Sequence, residues 1–83
     1  MTTKFTKGPW TITEHMGDYC IDGACGFDVC IVTNDDDIDS YNAALIACAP
    51  EMYEILEVAA KQLSHSPIGY RINKLLAKAR GEA

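Results

Sequence analysis

The sequence predicts an α+β fold, a three-stranded antiparallel β-meander at the N-terminal end covered by two to three C-terminal helices. Three observations predict it. Apolar and polar residues alternate with period two over about residues 8–34, helical periodicity takes over across about 37–80, and an acidic turn, "TNDDDIDS", separates the two. The 83 residues make a single domain near the lower size at which one core can hold a chain, so a homodimer is among the expected arrangements.

Each element has a local reason. In "WTITEHM", Trp10, Ile12 and Met16 fall on one side and Thr11 and Thr13 on the other, with Pro9 marking the entry. Two β-prone runs follow, Tyr19 to Ile21 and Phe27 to Thr33. Between them "DGACG" supplies the glycines that a short hairpin loop requires. Phe27, Val29 and Ile31 are expected to form the inward face of the last strand, opposite Tyr19 and Ile21.

Asp36, Asp37 or Asp39 can cap the helix that follows, where carboxylates also suit the positive end of its dipole. Tyr41, Leu45, Cys48 and Ala49 are spaced as the inner face of that helix. Pro50 then interrupts "NAALIACAPEMYEIL". Proline lacks the N–H that a helix interior needs but suits a first turn, so the chain is expected to break at Ala49–Pro50 and start a second helix there. Met52, Ile55, Leu56, Ala59 and Leu63 form its expected core side. "SHSP" ends it. A third helix starts at Pro67, with Ile68, Ile72, Leu75, Leu76 and Ala79 inward, Arg71, Lys74 and Lys78 outward, and Gly81 as terminator.

Charge and composition exclude several functions. No apolar run has the ~20 residues needed to span a bilayer, and the N-terminus has no signal-peptide core, so no membrane and a cytosolic location are expected. The four cysteines are then expected to be reduced. Through Ala49 there are two lysines against eight acids, and from Pro50 five basic residues against four acids. The net charge of −5 repels phosphate and argues against nucleic acid as a partner.

Cys20, Cys25 and Cys30, at C-x4-C-x4-C, lack the two-residue spacing of a zinc knuckle and read as small apolar side chains. Asp35, Asp37 and Asp39 resemble the first ligands of a calcium loop, but Ser40 replaces its glycine and Ile46 its closing glutamate. His15 and His65 lie in unrelated elements, without a glycine-rich phosphate loop or oxyanion hole. No cofactor, no metal and no enzymatic activity are expected.

The start "KGPW", the small hairpin, the acidic turn and "NAALIACAPEMYEIL" together resemble a group of short accessory proteins of tailed bacteriophages and prophages. The resemblance runs from Lys7 to about Lys61; the hairpin cysteines and Cys48 depart from it, and the segment after Ser64 lies outside it. It implies a phage origin and the host cytoplasm. The function expected is binding to a host or phage protein, inhibiting a host enzyme or anti-phage defence complex. Asp35, Asp36, Asp37 and Asp39 would meet a basic groove, with Tyr41 and Tyr53 as aromatic anchors. The alternative is a small DNA-associated regulator using the basic last helix.

Overall fold

The computed structural model describes residues 5–82. Strands β1 (Thr11–His15), β2 (Asp18–Asp22) and β3 (Asp28–Val32) are followed by helices α1 (Asp37–Ala47), α2 (Ala49–Gln62) and α3 (Pro67–Ala79). The strands form one antiparallel sheet in the order β1-β2-β3, so the meander and the α+β class are as the sequence predicts. Among the described residues two compact units result, residues 6–51 and residues 52–82 with Phe5. The division falls inside α2, so α1 groups with the sheet and not with the other helices.

In the first unit α1 packs against all three strands. Met16 and Gly17, both at positive φ, make the two-residue turn between β1 and β2. Met16 is therefore in the turn, 90% exposed, and not on the strand face expected for it. Cross-strand partners share a face, and Ile12, Ile21 and Cys30 are such a set. Ile21 is fully buried.

The inward face of β3 is the opposite of the one expected. Ile21 pairs with Cys30 but Asp22 pairs with Asp28, so β3 accommodates an extra residue, Val29, in a bulge. One inserted residue reverses which side chains point inward. Cys30 and Val32 are half-buried, while Ile31 is 60% and Phe27 72% exposed. The same shift puts Cys20 and Cys30 on opposite faces, although their even spacing alone would place them together.

The helix break falls at Cys48, one residue before the expected step, with Pro50 in the first turn of α2. Pro50 is buried, and its ring lies against Gly8: a Cβ on Gly8 would stand 2.8 Å from the Pro50 Cβ. "KGPW" and the Ala-Pro step, distant in sequence, thus meet in one contact.

In the second unit α2 and α3 pack as an antiparallel hairpin. Tyr53, Ala60 and Leu76 are its buried residues, with Phe5, Leu56 and Ile72 packed on them. The Arg80 guanidinium, near the end of α3, donates to the Tyr53 hydroxyl at 3.2 Å, and Gly69, at the start of α3, sits against the Leu63 carbonyl at the end of α2. Ser66 caps α3 by accepting from Gly69 N–H at 3.1 Å, and Gly81, at positive φ, closes it. The line of contact on α2 runs through Tyr53, Leu56 and Ala60 and not through the expected Ile55 and Ala59; Ile55 is 69% exposed.

Candidate functional site

Charge is strongly segregated. The unit of residues 6–51 holds one lysine against nine acids, a net −8; the rest of the chain holds six basic residues against three acids, a net +3. These reproduce the chain's −5. Any electrostatic recognition by the first unit is therefore recognition of something basic.

The acids fall in two groups. Asp18, Cys20, Asp22, Asp28 and Ile31 share the sheet face opposite Ile21. Asp22 and Asp28 oppose each other across β2 and β3, and a hydrogen bond between their carboxyls, helped by burial and mutual repulsion, raises the Asp22 pKa above 3.8. Thr13 Oγ1, 3.4 Å from Asp22 Oδ2, works weakly against this. Burial first, and then Asp22, Asp28 and Asp18, raise the Cys20 thiol above its ordinary value, which keeps it protonated and weakly nucleophilic.

A carboxyl whose pKa is higher folded than unfolded binds its proton more tightly when folded. Ionisation of Asp22 therefore costs stability as pH rises from 3.8 through the folded value, and the cost is complete at neutral pH. Asp22→Asn is expected to raise the melting temperature at pH 7, with the gain vanishing as pH falls to the ordinary carboxyl range. A thermal denaturation series in pH checks this, and an equal gain at pH 3.5 and pH 7 would contradict it.

The second group is the turn into α1. Asp39 Oδ2 accepts from the N–H groups of Asp35, at 2.9 Å, and Asp36, at 3.1 Å. Asp39 is thus occupied in shaping the turn. Asp18 Oδ1 accepts from Asn34 N–H at 3.2 Å, tying the turn to the start of β2. Asp35, Asp36 and Asp37 remain exposed.

The rest of the surface lies along α1. Ala43 is fully buried and Ile46 and Ala47 half-buried, so a side of the helix centred on alanines lies on the sheet. Tyr41 and Leu45, expected to face inward, are on the outside, 74% and 63% exposed, and with Ile38, 61% exposed, they are spaced three and four apart along one stripe. Small residues allow the helix to approach the strands closely, and the bulky stripe is then left to solvent. Leu45 reads from sequence as core and Ile38 is assigned to neither face there; Ala43 and Ala47 on the opposite side are the available signal.

Tyr41 therefore joins Asp35, Asp36 and Asp37 at one surface. Tyr53 does not. It is 5% exposed, packed edge-on against Phe5 with ring centroids 5.0 Å apart, and it accepts a hydrogen bond from Arg80, so it is a core residue of the hairpin and not an anchor. Arg80 also pairs with Glu82 at 2.9 Å, and the two bonds raise its pKa, the Glu82 bond most. Among the described residues no group of three or more His, Cys, Asp or Glu is placed to hold a metal ion, and no helix is long and apolar enough to cross a membrane.

These features define a small α+β protein with an acidic sheet unit and a basic helical hairpin, carrying an exposed apolar stripe beside its acidic turn. The chain belongs to the phage protein family described as Salmonella phage P22 protein Y8K6, whose model matches residues 1–83. The match extends over α3, beyond the Lys7 to Lys61 span of the resemblance seen in the sequence. No match was found among the curated proteins or among the solved structures.

Proposed function

We propose that this chain is a phage accessory protein that works in the host cytoplasm by binding another protein, blocking a host enzyme or an anti-phage defence complex. The observation that supports this reading is the stripe of Ile38, Tyr41 and Leu45 next to exposed Asp35, Asp36 and Asp37 on a unit of net charge −8. Apolar anchors supply affinity in such an interface, and the surrounding acids steer approach to a basic surface and raise the association rate. A groove that ordinarily takes nucleic acid has the matching charge, so the acidic turn would compete with nucleic acid there. The proposal contains no chemical step.

The second reading, a DNA-associated regulator, has one observation in its favour. Arg71, Lys74 and Lys78 are all exposed on α3, although Lys74 Nζ already sits 5.2 Å from the Tyr70 ring centroid. Retention on immobilised duplex DNA separates the two. The binding reading predicts that the chain passes through at moderate salt. Retention that declines steeply with salt and disappears on replacing Arg71, Lys74 and Lys78 with glutamine would overturn it in favour of the regulator.

A further inference from the structure

The helical hairpin carries a second apolar face that its own fold leaves uncovered. On α2 the contact line is Tyr53, Leu56 and Ala60, and on α3 it is Gly69, Ile72 and Leu76, the same spacing of three and four. A second stripe lies one residue N-terminal to each: Met52, Ala59 and Leu63 on or just past α2, and Ile68, Leu75 and Ala79 on α3, spaced seven and four in both, with Leu56 and Ile72 filling the gap. The helices are antiparallel, so reversal of chain direction and reversal of the inward side cancel. Both second stripes then emerge on the same side of the hairpin. Met52 is 41%, Leu63 40%, Ile68 46% and Leu75 52% exposed.

We infer that this face pairs with the same face of a second copy, giving a two-fold dimer in which two hairpins close a four-helix bundle. Three considerations choose a second copy as the occupant. Among the described residues of the hairpin the buried hydrophobic side chains are Tyr53, Ala60 and Leu76, with Gly69 the further buried residue of α3, too small a core to hold two helices by itself. The outer rims of the face are also self-complementary. With the two-fold axis along the bundle, α2 of each copy lies antiparallel on α3 of the other, so Glu51 at the start of α2 falls opposite Lys78 near the end of α3, and it does so twice. Finally, a shallow depression of about 300 Å³ between Ile68, Arg71, Ile72 and Leu75 offers the hole that a facing side chain fills in bundle packing. A dimer built this way would present two acidic units to one target and gain avidity without new contacts. The inference does not depend on the proposed function.

Light scattering on the full chain at about 100 μM, well above the dissociation constant expected of such an interface, tests it. The expected result is twice the chain mass for the wild type and for Val58→Gln, which removes exposed apolar surface from the other side of α2. Leu75→Glu should return the mass of one chain, weakening association at least ~100-fold, with its helical circular dichroism retained. Should Leu75→Glu lose that signal, Ile68→Gln, a gentler change on the same face, decides. A monomeric wild type overturns the inference. So does a dimer that folded Leu75→Glu and Ile68→Gln leave intact, or one that Val58→Gln disrupts equally.

Discussion

Replacing Gly69 with alanine is expected to destabilise the α2–α3 hairpin by about 3 kcal/mol, the largest effect of any single substitution considered for this chain. Gly69 is buried in the first turn of α3, and an added Cβ would overlap the Leu63 carbonyl oxygen, coming within 2.7 Å of its carbon and 3.4 Å of Ser64 N. These are backbone atoms at the end of α2, so no rotamer change can make room. The same residue donates its N–H to the capping Ser66 hydroxyl, and moving α3 outward to relieve the overlap would disturb that cap as well. Alanine ordinarily favours a helix over glycine by ~1 kcal/mol, so the sign of the result is informative. Loss of the helical circular dichroism at a lower temperature supports the close approach of the two helices. A more stable variant would show that they stand farther apart.

The second large effect is expected at Gly8. An alanine there would bring its Cβ to 2.8 Å from Cβ and 3.2 Å from Cγ of Pro50, a buried ring with no alternative rotamer. The cost should be about 2 kcal/mol, roughly a 10 °C fall in melting temperature for a chain of this size. Trp10, the single tryptophan, lies two residues away and donates from Nε1 to the Thr6 carbonyl at 2.9 Å, so its fluorescence reports on this region. Gly8→Ala should lower the melting temperature seen by Trp10. An unchanged transition would separate the N-terminal segment from the helix break and remove the structural link between "KGPW" and the Ala-Pro step.

The order and type of every element were legible in the sequence because each rests on local chemistry. Pro50 and Pro67 suit first helical turns, Gly81 suits a helix end, and acids crowd the start of α1. What could not be read was which apolar face turns inward. The bulge at Val29 inverts β3 through a pairing irregularity that no residue type announces. On α1 the buried centre is Ala43 while Tyr41 and Leu45 lie outside, so side-chain size points the wrong way. On α2 and α3 two apolar stripes one residue apart merge into one broad stripe when read from sequence alone. Of the candidate site, the acidic turn and Tyr41 were legible from the residues, Leu45 was hidden by its resemblance to core, and Tyr53 is held in a core that it shares with Leu76 and where it accepts a hydrogen bond from Arg80, 27 residues away.

The central claim, recognition of a protein through the acidic turn and the outer stripe of α1, is tested most directly by side-by-side capture from host lysate with mass-spectrometric readout. The baits are the wild-type chain and a variant carrying Asp35→Asn, Asp36→Asn, Asp37→Asn and Tyr41→Ala, all exposed positions, with asparagine chosen because it still serves as the N-cap that Asp36 provides for α1, and circular dichroism checking that the variant is folded. The account predicts a host protein held by the wild type and lost from the variant. A protein held equally by both, or nothing above background with either, would contradict it.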